Sequence, residues 1–537
     1  MAHLEEISKG IGPKLAITAI ALLATLLRVV GIDRVPLPLS DEVFAAVDWH
    51  DVVAYGHHMN GASAGALAYI VAVLDGRVLA FTHHGTLFDL RLAAAAFGVG
   101  LVVAMVPLGM EIASTRIGVL AAAIVAVMPW TIYFSRIFYP ASEFALLTTL
   151  ALIFALRTVR TQSLLTAVGC AVCFVLGVYI YPVAIASIPL VLACVVAVYP
   201  REVWRFGISR TASVALVVIL LLAPYAFSHL LATDASVVGQ NQVITQKMLW
   251  NHGVSIQAAI MQFVSQWLSF ITPSFTVFHG DPNVRWGIQA IGAVGWVTGA
   301  LGWVGVAIAL GRRTRSDYLL LLLLITYPIP DAVTYFDGWA NSVRGIIGAP
   351  IWALFAAVAV DTLWRTVTGL PRTAAVAFIT TALAAQTLLF MSIYLGSYTT
   401  EYAYAFETGY PQTYSILAAH GLDQMPISLH AGYYRQEMFR YFSGYRLNVS
   451  EQFLACYDLP PDILSSANRP EVFVVREDPD VVHTPGCIHK GLIDRDLATL
   501  ETSASQTMGQ RMHVDLVAKY PDDVTHRYYT AIIYVHY

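Results

Sequence analysis

Long apolar runs separated by short polar segments make up the first three quarters of the chain. A run of about twenty apolar residues is long enough for a helix to cross roughly 30 Å of hydrocarbon. We predict about eleven such spans, at 13–31, 88–110, 116–130, 142–158, 163–181, 183–199, 211–231, 287–310, 317–330, 345–363 and 373–395. The first follows a short polar leader, and no small-residue cleavage pattern comes after it, so we expect a retained helix.

The last quarter of the chain has shorter patterns. Alternating positions in "EVFVV" (471–475) and "TAIIYVHY" (530–537) predict strands, whereas "TYSILAAHG" (413–421) predicts a helix that ends at a glycine. The sequence therefore predicts a polytopic α-helical membrane protein with a C-terminal α/β domain. The predicted domains are 1–395 and 396–537.

The distribution of Lys and Arg predicts the orientation of the spans, because cytoplasmic loops retain positive charge. Alternate loops are basic, and their cations are Lys9, Lys14, Arg116, Arg157, Arg160, Arg201, Arg205, Arg210, Arg312, Arg313, Arg315, Arg365 and Arg372. We therefore place the N-terminus in the cytoplasm and the loops 32–87, 232–286 and 331–344 outside. The C-terminal domain is then extracytoplasmic, on a multi-pass protein of the cell membrane.

Composition agrees with a membrane protein. Hydrophobic residues make up 57% of the chain and charged residues 12%, with a mean hydropathy of +0.64, against roughly 25% charged residues in soluble domains. The net charge of −4 argues against a nucleic-acid partner. Cys456 and Cys487 lie in the predicted outer domain, where a disulfide and two unrelated buried thiols both remain open. Cys170, Cys173 and Cys194 lie in spans and are interpreted as packing residues.

Four carboxylates follow the first span in "PLSDEVFAAVDWHDVVAYGHHMNG" (38–61). Asp41 and Glu42 precede a stretch able to form a short amphipathic helix along the membrane surface, with Ser40 as its cap. Negative charge in the first turn of a helix is favourable for structural reasons alone. The same pair, at an outward membrane boundary, is also a candidate for general-base chemistry.

Outward cations indicate an anionic lipid headgroup as a ligand. Arg136 lies in "PWTIYFSRIFYPASE", an aromatic turn between two spans, and Lys247, Arg285 and Arg344 lie in later outward loops. Arginine matches phosphate because its donors form a fork. Solvated loop positions and structural ion pairs are the alternative interpretation for most of these charges. Tyr181 is a possible substrate-binding residue among the aromatic residues expected near headgroup level, where an interfacial belt is also typical.

The order of several motifs resembles a known family. The motifs are "SDEVF", "LFDLRLAAAAFGV", "GMEIASTRIGVLAAAIVAVMPWTIYFSRIFYPASE", "GVYIYPVA", "FHGDPNVRW" and "NSVRGIIGAP". They resemble the polyprenyl-phosphate-sugar-dependent glycosyltransferases of the GT-C fold, in the superfamily of protein O-mannosyltransferases and lipid A aminoarabinose transferases. The resemblance covers roughly residues 10 to 410. It is specific to the superfamily and not to a substrate.

The resemblance implies inverting transfer of a sugar from a polyprenyl-phosphate donor to an extracytoplasmic glycan, lipid or protein. Residue by residue, it makes Asp41 the candidate general base and Glu42 the neighbouring acid of the motif. Arg136 then matches an arginine near the donor phosphate, and Arg344 a basic position opening a late span. Asp281 lies in the family-like "GDPN" loop and is a possible substrate-binding residue, although turn chemistry explains "DPN" almost as well.

The chain departs from the family after the acidic pair. Many relatives carry a His-Pro-Pro stretch there, whereas this chain has "GHHMNGASAG". His57 and His58 are therefore candidate substrate-binding residues, with ordinary loop positions as the alternative.

Metal dependence is the next question for the predicted site. Nitrogen and oxygen ligands for a metal are available from Asp41, Glu42, His57 and His58, together with His83 and His84. Adjacent His pairs rarely hold one ion together, and no zinc-type spacing occurs. We expect no metal and leave a divalent cation open.

A transporter or flippase for polyprenyl-linked sugars is the competing hypothesis. Such a protein would also have many spans and cations for an anionic lipid. Transporters often contain two related halves, and no repeat is apparent in this sequence. A glycosyltransferase is therefore the favoured interpretation.

Overall fold

The computed structural model describes residues 2–58, 63, 65–80, 86–230, 253–334, 339–402, 406, 409–425, 427–430, 440–443, 449–452, 471–477, 513–521 and 529–536. Contacts divide the chain into two units. The first comprises Met1–Pro36 and Asp51–Leu395, and the second comprises Leu37–His50 and Gly396–Tyr537. The segment with Asp41 and Glu42 thus belongs to the same unit as the C-terminal tail, although the predicted domain boundary places it with the spans.

Helices make up most of the first unit. In chain order the helices of the described residues are α1 (Ala2–Val29), α2 (Ser40–Tyr55), α3 (Ala66–Leu74), α4 (Arg77–Ala80), α5 (Leu87–Ile112), α6 (Thr115–Val127), α7 (Pro129–Phe134), α8 (Ala141–Thr161), α9 (Leu164–Ile180), α10 (Ala184–Val198), α11 (Pro200–Phe206), α12 (Ile208–Leu230), α13 (Ile256–Ser269), α14 (Trp296–Arg312), α15 (Arg315–Thr326), α16 (Ile329–Ala332), α17 (Gly348–Thr366), α18 (Gly369–Leu395), α19 (Ser397–Glu401) and α20 (Gly409–Ala419). A π-helical turn covers Ser274–Phe278.

Each predicted span overlaps one of these helices. Within the described residues, four helices are long and apolar enough to cross a membrane by length and composition: Leu87–Ile112, Ala141–Thr161, Ile208–Ala226 and Gly369–Glu401. The bent pair α10 and α11 would make a fifth span, and α6, α9 and α14 are shorter apolar helices. The count of eleven membrane spans therefore stays a prediction.

Hydroxyl caps fix where several helices begin. Ser114 accepts a hydrogen bond from the backbone N–H of Ile117 at the start of α6. Thr314 and Asp317 form a reciprocal capping box at the start of α15. Each cap satisfies backbone N–H groups that the first turn leaves without partners. The chain can therefore turn sharply between α5 and α6 and between α14 and α15.

One predicted span begins later than expected. Residues 287–295 form a loop that is buried from Ile291 to Gly295, and α14 starts only at Trp296. The loop backbone is paired with the π-helical turn, because Gly292 donates to Val277 and Ala293 donates to Phe275, both at 2.9 Å. Gly295 at φ +92° ends the loop in a conformation that suits glycine. An apolar loop is stable here because its N–H groups have acceptors.

Loops meet at the two ends of the first unit. One end, which we call the basic end, is formed by the loops between α5 and α6, α8 and α9, α11 and α12, and α14 and α15. There Arg315 forms an ion pair with Glu202 and Arg157 forms one with Glu111, both with N···O distances of 2.8 Å. The other end, which we call the site end, is formed by residues 30–36, 128–141, 181–183, 279–295, 327–334 and 339–347. There Trp130 Nε1 donates to the Ser342 carbonyl at 2.9 Å. This sorting agrees with the alternation of basic and cation-poor loops.

The second unit contains a five-stranded mixed sheet. Its strands are β1 (Ile427–His430), β2 (Val449–Gln452), β3 (Glu471–Glu477), β4 (His513–Pro521) and β5 (Tyr529–His536), in the order β2-β1-β3-β5-β4. β1 pairs in parallel with β2 and β3, and β5 pairs antiparallel with β3 and β4. The strands predicted at 471–475 and 530–537 coincide with β3 and β5. Cys456 and Cys487 lie outside the described residues.

Candidate active site

The acidic pair lies in the first turn of α2, and the two side chains differ in burial. Glu42 is buried, and its Oε2 accepts a hydrogen bond from the backbone N–H of Leu39 at 3.2 Å. Asp41 is exposed. The carboxylate of Glu42 thus completes the start of the helix, while that of Asp41 is the one presented to solvent.

His57 and His58 follow the end of α2. The Nδ1 of His57 lies 2.9 Å from the His58 carbonyl oxygen, and its ring stacks on Tyr55 at 5.6 Å. The backbone of His57 also pairs with that of Ser63 in an antiparallel arrangement, as in a β-sheet. These contacts hold the His57 side chain and backbone in place, and a substrate-binding role for either histidine stays a prediction. His83 and His84 lie outside the described residues.

Arg136 is fully buried at the site end. Its Nη1 donates to the carbonyls of Leu27, Arg28 and Val30 at 3.1, 3.2 and 2.8 Å, and its Nη2 donates to that of Val35 at 3.0 Å. These acceptors include carbonyls of the last turn of α1, which have no partner inside that helix. The contacts favour a structural role in which Arg136 closes the end of α1. Its predicted role at the donor phosphate stays untested.

Arg344 lies in an ion pair at the site end, with 14% of its side chain exposed. Its Nη1 donates to Asp331 Oδ1 at 3.1 Å and to Thr334 Oγ1 at 2.7 Å. The guanidinium also interacts with the Tyr181 side chain. The fold thus brings two predicted site residues, Arg344 and Tyr181, to the same place. Asp331, the fully buried counter-ion, was not predicted as a site residue from the sequence.

Asp281 is the third predicted residue of this region. Its Oδ2 accepts hydrogen bonds from the backbone N–H and the hydroxyl of Ser342, both at 2.7 Å. Its Oδ1 accepts from the N–H of Asn283 at 2.9 Å, which is the turn chemistry expected of "DPN". Burial raises the pKa of Asp281 to about 6, although these hydrogen bonds oppose the shift. Asp281 therefore joins the loop 279–295 to the loop that carries Arg344.

Burial and charge act in opposite directions on Asp331. Burial raises the pKa of the Asp331 carboxyl, and this effect exceeds the lowering by Arg344 and by the hydrogen bonds from Gln266 and Asn341. Asp281 and Asp331 also repel one another. We call the group of Tyr181, Asp281, Asp331, Ser342 and Arg344 the outer cluster. In this cluster the partly exposed guanidinium of Arg344 is held by the buried carboxylate of Asp331.

Aromatic residues surround the outer cluster. The ring of Tyr139 packs on the rings of Tyr181 and Trp286, with distances between ring centroids of 6.4 and 5.3 Å. Tyr133 donates its hydroxyl to the Arg285 carbonyl at 2.6 Å, so the backbone of Arg285 is fixed beside this layer. Lys247 lies outside the described residues. The roles of Arg285 and Lys247 at a phosphate stay predictions.

Two buried polar residues near the site end were not predicted as site residues. Glu143, in the first turn of α8, is buried, interacts electrostatically with Asp75, and its Oε2 has no hydrogen-bond partner within the described residues. Gln266, on α13, donates to Asp331. A polar residue within an apolar stretch was the available sequence signal for both. Among the described residues, no group of three His, Cys, Asp or Glu side chains lies together as a metal site would require.

Known proteins similar to this chain are found by comparing structures and not by comparing sequences. No family model and no curated protein matches the sequence. The structure of ArnT from Cupriavidus metallidurans in the apo state is similar, with a TM-score of 0.60, 14% identity and coverage of 98% of each chain. ArnT bound to undecaprenyl phosphate gives a TM-score of 0.58 at 14% identity over 97% of this chain and 98% of that chain. The chain has the GT-C fold.

A second protein with the GT-C fold is also similar. The Archaeoglobus fulgidus oligosaccharyltransferase tethered with an acceptor peptide gives a TM-score of 0.54 at 12% identity. The match covers 95% of this chain and 69% of that chain. The GT-C fold resemblance implied by the sequence motifs is therefore confirmed, while identities this low leave the chemistry to be argued from the site.

Proposed function

We propose that this protein is a membrane glycosyltransferase that moves a sugar from a polyprenyl-phosphate donor to an extracytoplasmic acceptor. The observation that carries the proposal is the outer cluster, which fixes a partly exposed arginine at one end of a GT-C fold. The similarity to ArnT over nearly the full length of both chains supports the donor class, since that protein is seen bound to undecaprenyl phosphate.

Arg344 is proposed to face the phosphate of the donor. A guanidinium held by Asp331 and Thr334 keeps its orientation, and a fixed donor fork stabilises the charge that develops on a leaving phosphate. Arg285 and Lys247 are proposed as further cations of this site. Tyr181 and Asp281 are proposed to shape it, and His57 and His58 to bind substrate.

Asp41 is proposed to be the general base. It takes the proton of the acceptor hydroxyl while the hydroxyl oxygen forms its bond to the anomeric carbon. The bond between that carbon and the phosphate oxygen breaks, and the electron pair leaves on polyprenyl phosphate. Attack opposite the leaving group inverts the configuration. The exposure of Asp41, beside a Glu42 engaged in the helix start, supports Asp41 over Glu42 in this role.

The proposed acceptor is a glycan, lipid or protein of the cell envelope. The proposal places the protein in the cell membrane with a cytoplasmic N-terminus and an extracytoplasmic C-terminal unit. It needs no metal, and a divalent cation remains compatible with it.

Purified protein in proteoliposomes tests the reaction. The vesicles receive polyprenyl-phosphate mannose or polyprenyl-phosphate arabinose together with candidate acceptors, and released polyprenyl phosphate is measured. Release that depends on the protein and on the acceptor is the expected result. Movement of the intact sugar lipid between leaflets with no release would identify a transporter instead.

A further inference from the structure

We infer that Gln266 is a positioning residue that holds Arg344 in place through Asp331. The inference rests on the proposed function, because Arg344 is the cation proposed to face the donor phosphate. It adds a residue from α13, a helix that the sequence analysis did not predict.

The contact runs through a single carboxylate. Gln266 Nε2 donates to Asp331 Oδ2 at 2.9 Å and to the Asp331 carbonyl at 3.1 Å. The other carboxylate oxygen, Oδ1, accepts from Arg344 at 3.1 Å. Gln266 therefore fixes both the backbone and the side chain of the residue that orients Arg344.

The hydrogen bond between Gln266 and Asp331 matters for the charge on Asp331, because neither side chain is in contact with water. Gln266 and Asp331 are each 0% exposed. A buried carboxylate keeps its charge only when hydrogen bonds and a counter-ion compensate for lost hydration. Besides Gln266, Asp331 has the N–H of Asn341 at 3.2 Å and Arg344 as partners. Without the amide of Gln266, Asp331 loses two directed contacts, one to its carboxylate and one to its backbone carbonyl, and the freedom of Arg344 increases.

Two further contacts attach α13 to the rest of the first unit. Trp267 donates its Nε1 to the Ile325 carbonyl at 2.8 Å, and Tyr327 donates its hydroxyl to the Phe270 carbonyl at 2.9 Å. The helix therefore has anchors besides Gln266. In the part of the chain that the structure describes, Gln266 Oε1 has no hydrogen-bond partner. Replacing Gln266 by Met removes this unsatisfied acceptor together with the donor, so the fold is expected to persist.

Binding of two probes to the full-length protein in nanodiscs tests the inference. The probes are undecaprenyl phosphate and undecaprenol, which has the same chain without the phosphate. Gln266→Met is expected to weaken binding of undecaprenyl phosphate roughly ten-fold, as for loss of one hydrogen bond to a charged group, and to leave undecaprenol unchanged. Gln257→Met, at an exposed position of α13, is the matched control and keeps both affinities.

A double variant shows whether Gln266 acts through Arg344. If it does, Gln266→Met combined with Arg344→Ala binds undecaprenyl phosphate no more weakly than Arg344→Ala alone. Gln266→His, which retains a ring N–H donor, is expected to recover part of the affinity. Thermal melting of each variant verifies that the fold is intact.

The contradicting results are distinct. Additive losses in the double variant, an equal loss of undecaprenol binding, or unchanged phosphate binding by Gln266→Met while Arg344→Ala weakens it would each overturn the inference alone. Unchanged phosphate binding by Arg344→Ala would instead overturn the proposed donor site, and the positioning role with it.

Discussion

Asp41 and Glu42 are adjacent in sequence, but their side chains have different surroundings. The sequence predicted an acidic pair in the first turn of a helix, which α2 contains. The family resemblance named Asp41 as the base, but the pattern of residues alone could not assign one role to each acid, because burial depends on packing that is distant in sequence. The Leu39 N–H contact of Glu42 and the exposure of Asp41 supply that difference.

We expect Asp41→Asn to lower sugar transfer by a factor of roughly 100 to 10,000, the usual effect of losing a general base. Its melting temperature should stay near wild type, because the side chain is exposed. Asp48→Asn, later in the same helix, is the control for charge loss and should retain transfer. Rates of polyprenyl phosphate release and thermal melts give both quantities. Near-normal release by Asp41→Asn would remove Asp41 from the mechanism, and loss of release in Glu42→Gln alone would move the base to Glu42.

Arg136 permits a test that separates a structural role from phosphate binding. If it closes the end of α1, Arg136→Ala leaves several buried carbonyls without donors and lowers stability by about 1–3 kcal/mol or more. Arg136→Lys should also lose stability, because one ammonium cannot reach four carbonyls as a guanidinium fork does. Thermal melts and undecaprenyl phosphate affinity are measured on both. Unchanged stability with weakened affinity would restore the phosphate role predicted from the sequence.

Apolar length was the reliable signal for the helices, because a membrane span leaves about twenty apolar residues in the sequence. The same signal fails at 287–295, since a buried loop is as apolar as a span. Only the hydrogen bonds to the π-helical turn distinguish the two, and their partners lie more than ten residues away. The close packing between helices is likewise invisible in the pattern, although glycine in a span is a partial sign of it.

Gly305 in α14 shows how close this packing is. A Cβ at this position would clash with the Phe355 carbonyl of α17, whereas one at Gly311 in the same helix would meet nothing within 4 Å. We therefore expect Gly305→Ala to lower the free energy of unfolding by about 1–3 kcal/mol. Gly311→Ala should be neutral or slightly stabilising, because alanine favours helix. Thermal melts in detergent compare them, and equal melting temperatures would show that the two helices can separate at no cost.

The division into two units was only partly predictable from the sequence. The sequence indicated a boundary near 395, where apolar runs give way to short strands, but it gave no sign that Leu37–His50 belongs with the tail. Contacts between distant segments produce that grouping. The proposed base at Asp41 thus lies in one unit, and the proposed phosphate-binding Arg344 lies in the other.

This separation predicts how removal of the tail affects the two halves of the reaction. Deleting residues 400–537 should leave undecaprenyl phosphate affinity within about two-fold, because Arg344, Asp331 and Gln266 all belong to the first unit. Transfer should fall by a factor of roughly 100 or more, since Asp41 loses the rest of its unit and with it the fixed geometry that a base requires. Undecaprenyl phosphate binding and the release of polyprenyl phosphate during transfer are measured on the same nanodisc preparation.

The proposed role of the tail also requires that it lies outside the cell membrane. A reporter fused after Tyr537 of the intact chain should therefore read as extracytoplasmic. Transfer that survives the deletion, or a reporter that reads as cytoplasmic, would contradict the proposed role of the tail.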